Sequence, residues 1–226
     1  MSGGTTNALP IVMKRIVLCL LFVGCASSQP AQQPVSRTRA DFPLLAHERV
    51  DYHIARFTGE KRDEFASYLA RKAEYESMIL EKLRRRGMPE ELLYLAMVES
   101  GFNREAHSAQ QARGIWQLVP DTARRWGLTV DETIDERKDA AKATDAALSY
   151  LSYLHNRFRS WYLAAAAYNS GENRVARIMT EATGKESGAD EDYFRIWEEL
   201  PGETRDFIPA MIAAIRIARD PARYGF

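Results

Sequence analysis

The chain is short of cysteine, of strand-forming runs and of any excess charge, and each shortage narrows what it can be. Its two cysteines, Cys19 and Cys25, both fall in one N-terminal apolar segment. The rest of the chain therefore has no thiol for a disulfide framework or for thiolate chemistry. Lys+Arg and Asp+Glu are equal at 31 each, so no net field favours nucleic acid as a partner. The local run Arg84-Arg85-Arg86 closes a helical pattern, where positive charge suits the helix end and water. No apolar stretch reaches the ~20 residues a membrane-spanning helix needs. His47, His53, His107 and His155 show no metal-ligand spacing, so neither a metal nor a cofactor is expected. Internal repeats are absent. What remains is 226 residues of ordinary globular composition, enough for one sizeable core or two small ones.

The N-terminal segment is informative. Lys14-Arg15 precede "IVLCLLFVGC", and the chain then turns polar with "ASSQPAQQPVSRTR". A basic start, a brief apolar stretch and a small residue before the break describe an export signal over residues 1–24. "LFVGC" resembles a bacterial lipobox, with Phe22 in the place of the usual leucine. That resemblance implies lipidation of Cys25 as the first mature residue; an ordinary cleaved signal is the alternative. Acyl chains anchor at about 0.8 kcal/mol per buried methylene. By resemblance to lipoprotein sorting, Ala26 favours the periplasmic side of the outer membrane, with a soluble periplasmic protein as the other possibility. Residues 25–40, rich in Gln, Ser and Pro, read as a flexible tether.

Beyond the tether the periodicity is helical. "KRDEFASYLARKAEYESMILEKLRRR" (61–86) places Phe65, Tyr68, Leu69, Tyr75, Met78, Ile79 and Leu83 at helical spacing before Gly87. "PEELLYLAMVES" predicts a helix opened by Pro89, and 137–158 a long one with Leu148, Leu151 and Leu154 on one face. "WYLAAAAYN" is apolar all round and suits a buried position. Ser170 is placed to cap a helix from Glu172 to Thr183, and a last helix over 203–219 is expected to kink or break at Pro209. The expectation is an all-α, multi-helix globular domain.

One residue breaks the pattern. The apolar run Leu92 to Val98 leads straight into Glu99 and stops at Gly101. Burial and the negative end of the helix would both favour the protonated acid and raise its pKa. An acid that keeps its proton near neutral pH is what general acid catalysis requires. Two further motifs follow. "GIWQL" sets Gln117 between large apolar residues after Gly114, which permits close approach of a ligand or another backbone. "AYNSG" ends the apolar helix on Tyr168 and Asn169.

Glu99-Ser100, Gly114-Ile115-Trp116-Gln117-Leu118 and Ala167-Tyr168-Asn169 with Gly171, in that order, resemble the signature of the lytic transglycosylase family, whose domain is goose-lysozyme-like. The Glu-to-Gln separation (117 − 99 = 18) fits, and Trp116 is closest to the membrane-bound lytic murein transglycosylase D branch. The resemblance covers residues 80–226, with Phe207-Ile208-Pro209 where the family has Tyr-x-Pro, and leaves residues 41–79 as a helical extension on that domain. It implies a lysozyme-like fold and cleavage of peptidoglycan between N-acetylmuramic acid (MurNAc) and N-acetylglucosamine (GlcNAc). Glu99 would be the catalytic acid and base, and the product a 1,6-anhydro-MurNAc end. Ser108 (108 − 99 = 9), Gln117, Tyr168 and Asn169 would contact substrate or brace the site. Phe102, Trp116 and Tyr168 could offer faces to sugar rings, with core packing the alternative for Trp116. The implied partners are glycan strands and, through the lipid, a membrane. Two other readings stand beside this one: a hydrolytic lysozyme-type muramidase, and a non-catalytic glycan-binding lipoprotein. The matched motifs contain no second acid, which suits intramolecular attack better than activated water.

Overall fold

The computed structural model describes Met1 and residues 42–226. The expected leader, the lipidation site Cys25 and the tether lie outside the described residues. From residue 42 on, the chain forms one compact unit, and no strand occurs among the described residues beyond isolated bridges. The all-α expectation holds.

Nine α-helices account for the described chain: α1 Glu48–Thr58, α2 Arg62–Arg86, α3 Leu93–Ser100, α4 Pro120–Arg125, α5 Ala140–Phe158, α6 Trp161–Ser170, α7 Glu172–Thr183, α8 Glu191–Arg195 and α9 Gly202–Arg219. Acids at the start of α2 and Arg84–Arg86 at its end complement the helix dipole, and Gly87 stops it in the left-handed conformation. Residues 79 and 80 lie inside α2. Pro89 does not open α3. It precedes a 3-10 turn, Glu90–Leu92, that feeds into the helix.

α6 is the central element. Ser160 caps it by accepting from the Leu163 N–H, and Asp190 accepts from both Ser160 Oγ and the Tyr162 N–H. Tyr162, Leu163 and Ala164–Ala167 are fully buried, and α5, α7 and α9 pack around them. Four small side chains in succession let those helices approach closely. Ser170 does not cap α7. Its hydroxyl donates back to the Ala166 carbonyl, and Gly171 precedes α7 without a side-chain cap.

Pro209 sits inside α9 without ending it. A proline lacks the N–H that would bond the carbonyl four residues earlier, here that of Arg205. Tyr193 Oη (2.9 Å) and Trp197 Nε1 (2.8 Å) donate to that carbonyl instead, and Tyr193 also reaches the Thr204 carbonyl at 2.7 Å. The orphan acceptor is satisfied from outside the helix, so the helix survives.

Candidate active site

Glu99 occupies the last turn of α3, a helix whose first five residues are all buried. Gly101 ends it at φ 56°, and a Cβ there would lie 2.1 Å from the Tyr68 ring. Glycine thus does two jobs: it stops the helix and lets Tyr68 lie across its end. Arg71 Nε donates to the Gly101 carbonyl at 2.7 Å and fixes α2 to the same corner.

The Glu99 carboxyl is half-buried in the floor of a cavity of about 360 Å³ that α1, α2, α3 and α9 enclose. Phe57, Phe65, Tyr68, Val98, Phe207 and Ala210 supply apolar wall. Loss of water around the carboxyl, and secondarily the nearby Glu203 carboxylate, push the Glu99 pKa up to about 8. At neutral pH the acid holds its proton. The sequence pointed to burial and the helix end as the causes; the structure gives burial first and Glu203 second.

The loop from 106 to 118 is built from backbone contacts. Gly114, at φ 77°, passes so close to Arg137 that a Cβ would lie 2.0 Å from its carbonyl oxygen. The buried Arg137 guanidinium donates to the carbonyls of Gln111 (2.6 Å) and Leu118 (3.0 Å) and is held by Asp135. Ser100 Oγ donates to the Ile115 carbonyl at 2.9 Å, and Tyr168 Oη to the Trp116 carbonyl at 2.7 Å. These two bonds tie the three sequence motifs into one corner. Burial holds the Tyr168 phenol protonated well above the ordinary range, and the nearby Glu99 carboxyl adds to the rise.

The other expected site residues divide. Gln117 takes a positive φ of 47°, and its Nε2 donates to the carbonyls of Ala106 (3.2 Å) and Gly114 (2.9 Å). Its amide nitrogen is spent on the loop. Asn169 Oδ1 accepts from Thr204 Oγ1 at 2.8 Å, a brace between α6 and α9. Ser108 lines a separate polar cavity with Arg113, Asp131 and Arg137, and its Oγ accepts from the Ala112 N–H. The reading of Trp116 and Phe102 as sugar platforms is corrected. Both rings are wholly buried: Trp116 donates through Nε1 to Thr144 Oγ1 at 2.8 Å, and Phe102 stacks on Tyr75. A buried ring has no face left for a ligand. Sequence reasoning missed Glu203, Phe207 and the α1–α2 wall. Glu203 stands one turn before Phe207 in "PGETRDFIP", an exposed acid with no apolar run before it to mark it as Glu99 is marked.

Tyr168→Phe should cost about 1–3 kcal/mol of stability, because the Trp116 carbonyl loses its donor, and lower turnover less than removal of the Glu99 acid does. Thermal melts and single-turnover rates check both. Losses as large as those of Glu99→Gln would give the phenol a share in proton transfer.

A sequence profile of the Transglycosylase SLT domain matches residues 76–190. The chain belongs to this transglycosylase family. Membrane-bound lytic murein transglycosylase D of Escherichia coli (strain K12) is 39% identical over 152 residues, 67% of this chain and 33% of that protein. A protein of Alteromonas sp. (strain M-1) named for tributyltin chloride resistance is 38% identical over 117 residues, 51% of this chain and 56% of its own length. The chain therefore spans about a third of the E. coli relative and about half of the Alteromonas one. Among solved structures, an inactive mutant of the lytic transglycosylase Slt from Pseudomonas aeruginosa superposes with a TM-score of 0.50 at 23% identity, covering 66% of this chain and 24% of that one. That likeness shows a shared lysozyme-like helical fold. No described helix of this transglycosylase-family chain is long and apolar enough to cross a membrane.

Proposed function

We propose that the chain is a peptidoglycan lytic transglycosylase that cleaves the β-1,4 bond between MurNAc and GlcNAc without water. The observation that carries the reading is the carboxyl of Glu99, kept protonated near neutral pH by burial in a cavity that apolar side chains partly wall. Family membership supports it. Glu99 gives its proton to the glycosidic oxygen as the C1–O bond breaks, and GlcNAc leaves with that proton. The carboxylate so formed takes the proton of the MurNAc 6-hydroxyl, whose oxygen closes on C1. The acid is regenerated, and the products are a 1,6-anhydro-MurNAc end and a free GlcNAc end. No cofactor enters this cycle. Tyr168 and Ser100 act by holding the 114–118 backbone against α3 and α6.

The same proposal gives residues 1–24 to a lipoprotein signal, Cys25 to acylation, 25–40 to a tether, 41–79 to a helical extension and 80–226 to the catalytic domain. It puts the enzyme on the periplasmic face of the outer membrane, with glycan strands as its substrate.

One observation favours the hydrolytic reading: Glu203 is a second carboxylate on the cavity that holds Glu99. A hydrolase needs such a group to activate water or to attack C1. Mass spectrometry of muropeptides released from purified sacculi separates the two. The expected products are lighter by one water than hydrolysed ones and have no reducing end. Reducing-end products would assign Glu99 and Glu203 to a muramidase, and no release at all would overturn both enzymatic readings.

A further inference from the structure

We infer that Arg56, on the α1 wall, is a binding residue for a carboxylate carried by the muramyl side of the substrate; this rests on the substrate class proposed above. Arg56 lies in the last turn of α1 and lines the cavity that contains Glu99. It is half-buried, yet its guanidinium makes no hydrogen bond or ion pair among the described residues. The other charged groups around it are already matched. Lys61 pairs with Glu64 at 2.5 Å, Glu64 also accepts from Tyr68 Oη, and Arg49 grips Asp206 with two nitrogens at 2.7–2.9 Å. His53 is buried, and burial depresses its pKa, so it adds no charge at neutral pH. Glu99 holds its proton. Arg56, whose charge also reaches Glu64, and the exposed Glu203 are left as the two charges of the cavity without an ion-pair partner among the described residues.

A guanidinium held beside apolar wall, with its donors unspent, is built for a planar carboxylate. The neutral glycan backbone offers none. The muramyl residue does, either on its lactyl group or on the peptide stem joined there. Glu203 argues against a strongly anionic ligand such as a phosphate. One carboxylate flanked by amide N–H groups is compatible with both charges. The α1–α2 region would then recognise substrate directly, beyond supporting the fold.

Binding in the Glu99→Gln background, which needs no cleavage, tests this apart from the reaction itself. Dissociation constants are measured by calorimetry for three probes: peptide-bearing glycan strands, amidase-stripped strands that retain the lactyl carboxylate, and a neutral chitooligosaccharide. Adding Arg56→Gln should cut the preference for peptide-bearing strands over chitooligosaccharide about tenfold and flatten its salt dependence; Arg56→Lys should recover part of it. A loss confined to peptide-bearing strands assigns the carboxylate to the stem. A loss confined to stripped strands assigns it to the lactyl group, whose carboxylate is free only once the stem is removed, and an equal loss on both shows that either carboxylate is accepted. The inference is overturned if all three probes lose affinity alike, if none does, or if the Glu99→Gln parent binds no strand. Failure of the proposed reaction would show separately, as no anhydro product from the parent chain.

Discussion

Glu99→Gln is expected to lower turnover by about 10²–10⁴-fold, the usual worth of a positioned proton donor, and at the same time to make the protein more stable. The second effect follows from the raised pKa. The folded chain binds the Glu99 proton with a pKa of about 8, against 4.5 for an ordinary glutamate. Below the lower value both states carry the proton and the group is neutral to stability. Between the two, the unfolded chain ionises and the folded chain does not, so stability falls as pH rises. Above the upper value the deficit is constant. Each pKa unit corresponds to about 1.4 kcal/mol; with partial exposure of the carboxyl, the gain at pH 8 is expected at about 1–3 kcal/mol. Glutamine has no proton to hold and escapes the deficit. Melts of parent and variant at pH 5 and pH 8 should therefore diverge, the variant gaining more at pH 8. Parallel melts at the two values would mean that the acid is not dry, and undiminished lysis would remove it from the chemistry.

Gly114→Ala is expected to cost about 3 kcal/mol, or roughly 6–12 °C in melting temperature for a domain of this size. The added methyl carbon would lie 2.0 Å from the Arg137 carbonyl oxygen, and the residue would be held at φ 77°. A backbone atom cannot swing aside as a side-chain tip can. Gly184→Ala is the matched comparison, since Gly184 has φ 75° but nothing within 4 Å of a built Cβ. It should lose only about 1–2 kcal/mol from the left-handed conformation. The difference between the two variants isolates the collision. Because the 114–118 carbonyls are what Ser100 and Tyr168 hold, activity should fall in Gly114→Ala and persist in Gly184→Ala. Equal melting temperatures would show that the loop yields to the methyl group.

Much of this architecture was readable from local pattern. α2, α5, α6, α7 and α9 each follow an apolar period or an apolar run with a glycine or polar break at its end, and such signals act over one or two turns. The acid at the end of a buried helix was equally local. What escaped depends on partners far away in the chain. Pro209 was expected to kink or break its helix, and what keeps the helix continuous there, the donors Tyr193 and Trp197 to the Arg205 carbonyl, belongs to another segment. Trp116 reads the same in sequence whether its ring faces a sugar or, as here, Thr144. Gln117 gave no hint that its amide nitrogen would turn inward on the loop. The cavity wall from α1 and α9 was invisible for the same reason: each helix taken alone is merely amphipathic.

That wall has a consequence for timing. α1 and α9 pack on each other and, with α2, wall the space above Glu99. As the chain grows from its first residue, the acid appears long before α9 does. Without that helix the cavity would lack a wall and the Glu203 carboxylate, and both causes that raise the Glu99 pKa would weaken. The acid's hold on its proton is thus a property of the assembled fold, and α3 alone does not confer it.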